Sequence, residues 1–256
     1  MAITEGLFVT GTDTSVGKSL VTCAGIKLLR EQGIDAVGFK PVATGEVGGS
    51  WGDAVAIHEA SGGVEPVEKI CPLRFALPLA PTLDAAHEGI EPNMDLARGV
   101  LARLCARHSA IIVEGIGGVL TPLDKKTLVV DMIAQVGFPA LIVCRAGLGT
   151  ISQTLLVIRE LERSNLPIAG VIMNVTHPED TPLAPGAKSE IERIGGVRVL
   201  ATIPHLPATD VSPSHSKLVT RVIASLVKQI DFRTLLGSEG TRRGVSSRFR
   251  RRRATD

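Results

Sequence analysis

Tyrosine is absent from this chain, tryptophan occurs once, and aromatic residues together make up 3%. Proteins that grip single-stranded nucleic acid stack its bases on aromatic side chains, so this composition argues against that class. Cysteine is sparse as well. The four thiols, at 23, 71, 105 and 144, form no C-x-x-C pair, which argues against a zinc knuckle or a dithiol redox motif. Cys23, Cys105 and Cys144 fall in apolar stretches and read as small core residues. The six histidines (58, 87, 108, 177, 205 and 215) show no metal-ligand spacing. No apolar run approaches membrane-spanning length. No basic stretch followed by an apolar run stands near residue 1, so no signal peptide is visible. The expectation is a soluble, cytoplasmic protein without a membrane partner.

What the chain does have is aliphatic mass. Of its 256 residues, 44% are hydrophobic, enough for one large core without disulfide staples. The net charge of +2 is unevenly placed. Residues 242–256 hold seven arginines and one aspartate, +6 in all, which leaves residues 1–241 at −4. A basic end of this kind can touch nucleic acid or an acidic surface. This one carries a single aromatic, Phe249, and no periodic apolar face, so it reads as a solvated, disordered end with no nucleic-acid partner. The expected organisation is one domain over residues 1–236 and a basic tail over 237–256.

Short aliphatic runs alternate with helical patterns along that domain. Strands are expected at 7–10, 36–40, 110–114, 140–144, 168–174 and 197–203. Helices are expected at 19–32, 53–60, 95–107, 128–135, 151–163, 187–194 and 216–230. The proline-rich stretch 63–92 resists assignment. Continuous apolar strands separated by helices predict an α/β fold with a mostly parallel sheet and helices on both faces. Such sheets bind ligands beyond the carboxyl ends of their strands. A functional residue should therefore fall just after a strand.

The first strand meets that condition at once. It runs into Gly11-Thr-Asp-Thr-Ser-Val-Gly-Lys-Ser19 and then a helix. Backbone N–H groups of such a loop, with the helix N-terminus, make an anion cradle. Gly17 lets the backbone approach phosphates, Lys18 reaches the β- and γ-phosphates, and the Ser19 hydroxyl can ligate Mg²⁺. The spacing departs from the usual G-x-x-x-x-G-K-[ST] by one place, because Thr12 stands where the first glycine belongs and Gly11 precedes it. The strand–loop–helix context still predicts a P-loop that binds ATP.

Magnesium needs oxygen ligands, and two carboxylates follow strands or loops suitably. Glu114 ends an apolar strand and opens Glu114-Gly-Ile-Gly-Gly118. Asp53 opens a helix after the glycine-rich stretch 48–52, where it reads equally as a helix cap or as a metal ligand. Lys40 closes the second strand, on the same sheet edge as Lys18. It is either a surface lysine or a second cation for charge developing on a transferred phosphoryl group.

Taken together, these residues resemble the dethiobiotin synthetases, a P-loop NTPase-like family. The similarity rests on Gly11-Thr-Asp-Thr-x-Val-Gly-Lys-Ser19, Gly38-x-Lys-Pro-Val-Ala43, Asp53, and Glu114-Gly-x-Gly-Gly118 with Thr121-Pro122-Leu123. It continues through Gly147-x-Gly149, Gly170-x-Ile-x-Asn174 and Ile203-Pro204, and spans roughly residues 5–230. The resemblance implies a single-domain, ATP- and Mg²⁺-dependent cyclo-ligase. Such an enzyme carboxylates 7,8-diaminopelargonate with CO₂ or bicarbonate and closes the ring to dethiobiotin, ADP and phosphate. It implies catalytic roles for Lys18, Lys40 and Thr14, and Mg²⁺ held through Ser19, Asp53 and Glu114. Nucleotide contacts would come from Ser15, Val16, Gly17, Leu20, Gly115, Ile116 and Gly117. Asn174, Val175 and the backbone of Ile203, Pro204 and His205 would frame the adenine. Thr44 would contact substrate. The helix start at Gly149, Thr150, Ile151 and Ser152 would take the substrate carboxylate across a homodimer interface.

Two departures bear on this. Some relatives carry glutamate at the place of Ser15, and aspartate is frequent at the place of Val175. Two other families are disfavoured by the same residues. Partitioning and cell-division ATPases carry an early lysine in K-G-G-x-G-K-[ST], where this chain has Asp13. Cobyrinic acid amidating synthases need a further glutaminase domain, for which 256 residues leave no room.

Overall fold

The computed structural model describes residues 4–206 and 216–238. In chain order its elements are β1 (Glu5–Gly11), α1 (Lys18–Glu31), β2 (Ala36–Phe39), β3 (Val42–Ala43), α2 (Gly52–Ala60), α3 (Val67–Ile70), β4 (Leu73–Arg74), α4 (Pro81–His87) and α5 (Met94–Cys105). Then follow β5 (Ala110–Glu114), α6 (Val129–Val136), β6 (Ala140–Arg145), α7 (Thr150–Arg163), β7 (Ile168–Asn174), α8 (Ala184–Gly195), β8 (Val199–Ile203), α9 (Ser216–Leu226) and β9 (Gly237–Ser238).

Six parallel strands form the main sheet in the order β2-β5-β1-β6-β7-β8. The short β9 pairs antiparallel with the start of β1. Every residue of β2 and β5 is buried, as are all but the first of β1. Side chains alternate between sheet faces, so complete burial means that both faces are covered. That is the single α/β architecture expected from the aliphatic runs. Few as the aromatics are, Phe8, Phe39, Phe138 and Phe232 lie among the largest fully buried side chains. Gly6 exists to admit one of them. A Cβ there would stand 2.2 Å from the Phe138 ring, inside van der Waals contact.

Local sequence explains several boundaries. Asn93 caps α5, its Oδ1 accepting the Leu96 N–H at 3.1 Å, so the helix starts one residue before its expected position. Helix α8 begins earlier than expected because the 3₁₀ turn Pro178–Leu183 leads straight into it. Strand β2 stops at Phe39, one residue short of expectation, and Lys40 leaves the sheet with its N–H bonded to Ile70 O at 2.8 Å. The stretch 63–92 holds α3, β4 and α4, with β4 pairing β3 in a separate two-stranded sheet.

The expected boundary at 236 differs slightly from the structure, since Gly237 and Ser238 join the sheet opposite Gly6 and Glu5. The rest of the arginine-rich stretch, residues 239–256, lies outside the described residues, as does His215. Among the described residues no helix is long and apolar enough to cross a membrane. Cys23, Cys71 and Cys144 are buried, and Cys105 is half-buried.

Because β1, β2, β5, β6, β7 and β8 are parallel, their carboxyl ends lie on one edge. Gly11, Lys40, Glu114, Arg145, Asn174 and Ile203 all end or follow strands there. The sheet therefore gathers onto one rim residues that are up to 192 positions apart in the chain (203 minus 11).

Candidate active site

The loop after β1 wraps over the start of α1. Gly17 caps that helix in the left-handed region, with φ 104°, and no side chain caps the helix. The first turn of α1 contains no acidic residue. Among the described residues, the first α1 N–H with a backbone acceptor is Val21, bonded to Gly17 O at 3.1 Å. The amides of Lys18, Ser19 and Leu20 are thus left facing outward, as in any uncapped helix start, and make a cradle for an anion. Ser15 also takes positive φ, at 58°. Backbone turns of this kind point successive N–H groups the same way.

Beside the loop lies a knot of charge. Ser19 Oγ lies within hydrogen-bond distance of both Asp53 Oδ1, at 2.8 Å, and Glu114 Oε1, at 2.9 Å, with one proton to share between them. Lys40 Nζ sits 2.5 Å from Glu114 Oε1 and 3.1 Å from Asp53 Oδ2. Lys40 is 2% exposed and Glu114 fully buried, so the reading of Lys40 as a surface lysine does not hold. Nor does the reading of Asp53 as a helix cap. Trp51 occupies the N-cap of α2, and Asp53 stands in its first turn with its carboxylate turned to Ser19 and Lys40.

Lys18 Nζ donates to Asp13 O at 2.7 Å, folded back over its own loop. Burial pushes its pKa down to about 8, against the pull of Glu114 and with repulsion from Lys40 helping. For Lys40, burial works to lower the pKa, but Glu114 and then Asp53 reverse it, so the ammonium stays charged. Lys40 in turn holds the Asp53 carboxyl below the usual range, against its desolvation. Burial drives Glu114 upward, with Lys40 opposing.

A cavity of about 300 Å³ opens over these groups. Thr14, Ser15, Gly17, Lys18, Ser19 and Leu20 line its loop side. Lys40, Thr44 and Asp53 line the wall facing them, with Ile116 and Gly117 also on its surface. Four wall residues were missed by sequence reasoning: Cys23, Ala56 of α2, and Leu218 and Val219 of α9. A further missed residue, Arg145, ends β6 and pairs with the loop carboxylate of Asp13 at 3.6 Å. The rule that functional residues follow strands pointed to Arg145, since it closes an apolar run.

The remaining expected residues sit elsewhere. Val16 is buried beneath the loop. Gly115 N bonds Val9 O at 2.9 Å, which fixes the start of the glycine turn rather than the cavity wall. Val175 and Ile203 are core residues joined by a backbone bond, Val175 N to Ile203 O at 3.0 Å. Pro204 is exposed and His205 half-buried beyond them. Gly149, Thr150, Ile151 and Ser152 do not line the main cavity. Thr150 borders a separate hollow of about 220 Å³ with Arg145, Gln153, His177 and Asp180, and its hydroxyl bonds Arg145 O. Asn174 donates its side-chain N–H to Val16 O at 3.0 Å.

The oxygen donors suit a magnesium ion. Glu114 Oε2 is buried with no hydrogen-bond partner, while Ser19 Oγ and Asp53 converge beside its other oxygen. Among the described residues no group of three or more His, Cys, Asp or Glu forms a metal cage. Magnesium does not ask for one, since it keeps several waters and takes one or two carboxylates with substrate phosphates.

Comparison with known proteins decides the family. A family model described as an AAA domain matches residues 5–212. A protein of Anaeromyxobacter dehalogenans (strain 2CP-C), named ATP-dependent dethiobiotin synthetase BioD, is 51% identical over 203 residues, which cover 79% of this chain and 91% of that protein. The chain belongs to the dethiobiotin synthetase family. A Bacillus licheniformis dethiobiotin synthetase is 33% identical over 87% of this chain and 95% of its own length. Among solved structures, a ParA family ATPase from Chlorobium tepidum TLS is similar with a TM-score of 0.57 and 15% identity, covering 89% of this chain and 98% of that one. That likeness is one of fold.

Proposed function

We propose that this protein is an ATP- and Mg²⁺-dependent cyclo-ligase that carboxylates 7,8-diaminopelargonate with CO₂ and closes the ring to dethiobiotin, releasing ADP and phosphate, in biotin biosynthesis. The observation that carries this reading is the position of Lys40. It is a buried ammonium locked between Glu114 and Asp53, on the cavity wall that faces the phosphate loop.

The reaction requires an amine of the substrate to add to CO₂ and lose a proton, giving a carbamate. A carbamate oxygen then attacks the γ-phosphorus and ADP leaves. The second amine attacks the carbonyl carbon of the resulting mixed anhydride, phosphate departs, and the ureido ring is closed. Phosphoryl transfer of this kind depends on positioning and charge neutralisation more than on covalent help. Lys18 and the amides of the α1 start hold the β- and γ-phosphates. Lys40 neutralises charge at the carbamate and the transferred phosphoryl group, and its rigid pairing means that no reorganisation is needed as that charge develops. Thr14 and Thr44, both on the cavity wall, orient the reactants. Ser19, Asp53 and Glu114 would hold Mg²⁺, which supplies charge stabilisation on the phosphate oxygens.

The same reading includes a cytoplasmic homodimer in which Gly149–Ser152 at the start of α7 receive the substrate carboxylate. Leu148, wholly exposed beside them, suits a contact with a second copy. Asn174, Val175 and the backbone of Ile203, Pro204 and His205 frame the adenine. The test is an assay of ADP release. Release should require both diaminopelargonate and bicarbonate. Release that proceeds at full rate without either would refute the ligase assignment.

A further inference from the structure

We propose that Asn174 is a positioning residue for the phosphate cradle, holding the Val16–Gly17 peptide through its side-chain amide independently of any contact with the base. The proposal rests on the ATP-binding reading above. Three observations carry it. The Asn174 amide donates to Val16 O at 3.0 Å, across 158 residues of sequence. Val16 itself is fully buried, so its carbonyl has little access to water. The bond therefore satisfies an acceptor that would otherwise stand alone, at the point where the backbone turns into the left-handed Gly17.

The second observation is steric. A Cβ at Gly17 would lie 2.5 Å from Asn174 Nδ2. The asparagine is thus packed directly onto the cap residue of α1, whose orientation sets where the Lys18, Ser19 and Leu20 amides point. Gly17 is required by its φ of 104° and also by the asparagine that leans on it.

The third concerns the rigidity of Asn174. It ends β7 in register with Arg145 of β6 and Ile203 of β8. Its own carbonyl accepts the Ala146 N–H at 2.9 Å, and it is 8% exposed. Strands on both sides therefore fix the backbone from which the amide reaches. The phosphate loop is held from below by β1, at its first half by the Thr12 N–H bond to Val143 O and the Arg145–Asp13 pair, and at the Val16–Gly17 peptide by this amide.

A residue that reads only the base and one that braces the loop differ in a simple way. The base reader matters to ATP alone, whereas the brace matters to any polyphosphate. The probe is magnesium tripolyphosphate, which has phosphates and no base, compared with Mg-ATP by calorimetry on wild type, Asn174→Ala and the near-isosteric Asn174→Asp. Asn174→Ala should weaken tripolyphosphate about tenfold, the scale of one buried hydrogen bond lost. Asn174→Asp should weaken it further, because a carboxylate cannot donate to Val16 O. In turnover, KM for ATP should rise with KM for diaminopelargonate unchanged, and Tm should fall by no more than a few degrees.

Tripolyphosphate affinity equal to wild type in both variants, with ATP affinity reduced, overturns the proposal and leaves Asn174 as a base contact. If Asn174→Ala is poorly folded, the Asn174→Asp comparison decides on the same criterion. Wild-type protein that binds both polyphosphates but does not turn over diaminopelargonate refutes the ligase reading and leaves the brace intact.

Discussion

Two glutamates are buried at opposite edges of the same parallel sheet, and they are treated in opposite ways. Glu114, at the carboxyl end of β5, meets Lys40 and Ser19 through one oxygen and leaves Oε2 without a partner. Glu65, in the connection before α3, lies beside residues that precede β2 and β5, at the amino edge. It is 1% exposed and enclosed by His108 at 3.2 Å, Arg107 at 3.0 Å and Lys69 at 3.4 Å. His108 is held in turn by Asp35 at 3.0 Å. The Glu65 cluster gives its carboxylate three cationic or hydrogen-bonding neighbours. The Glu114 cluster keeps a valence open. A buried charge with all its partners fastens elements together, whereas one with a spare lone pair is ready for an ion or a substrate.

That contrast can be broken by experiment. The largest effect should come from Lys40→Ala, which leaves Glu114 buried beside Asp53 without a cation and strips the transferred phosphoryl group of its counter-charge. Turnover should fall by about 10²–10³-fold, the scale of removing one preorganised donor. A Lys40→Ala enzyme with wild-type kcat would remove this residue from the reaction. Glu114→Gln should also cost most of the activity and should lower Tm, because it leaves the buried Lys40 ammonium with Asp53 as its remaining counter-charge.

A second prediction sharpens the idea that the carboxyl edge is left poised. With its pKa lowered to about 8 by burial, Lys18 is partly neutral in the free protein at that pH. Bound phosphates favour the ammonium form and raise its pKa. Nucleotide affinity should therefore be flat below pH 8 and fall by at most about tenfold per unit above it. Near pH 8, binding should take up about half a proton, readable by calorimetry in two buffers of different ionisation enthalpy. Affinity independent of pH from 7 to 9.5, with no proton uptake, would contradict it.

The smallest effect on activity belongs to Glu65→Gln. This change takes the carboxylate from the buried His108 ring and from the exposed Arg107 and Lys69, and should cost about 1–3 kcal/mol of stability with kcat per folded molecule unchanged. The pH dependence follows the same logic. Burial acts to raise the Glu65 pKa, but His108, Lys69 and Arg107 bring it below the usual value. A depressed carboxyl stabilises the fold above its unfolded pKa of 4.5 and loses that contribution as pH falls through its folded value. Wild type should therefore lose stability more steeply than Glu65→Gln below pH 4.5, as measured by urea unfolding. A large kcat loss in this variant would mean that the two edges are coupled.

How much of this was legible in the sequence depends on the range of the interaction concerned. β5 and β7 were bounded correctly, since continuous apolar runs end at Glu114 and Asn174. The loop at 11–19 announced itself through strand, glycines and lysine, all local. Asp53 stayed ambiguous because its role is decided by Ser19, 34 residues earlier, and a cap and a ligand look alike in one dimension. The stretch 63–92 was unreadable because α3 has four residues and β4 two, below any length at which periodicity speaks. Arg145 was passed over, although it closes a strand. The α9 residues Leu218 and Val219 carried no signal, because only packing against α1 brings them to the cavity.

The hydrogen bond from Asn174 to Val16 also has a meaning in time. A ribosome releases the phosphate loop early, yet β1 cannot be flanked until β5 and β6 exist, and the amide that steadies the loop comes 158 residues later. At about 5–20 residues per second of synthesis, that is an interval of roughly 8–30 seconds. During it the nascent chain carries a nucleotide-binding motif that is not yet braced. Competence to bind ATP is thus a late event in the birth of this protein, although the residues that announce it are among the first to be made.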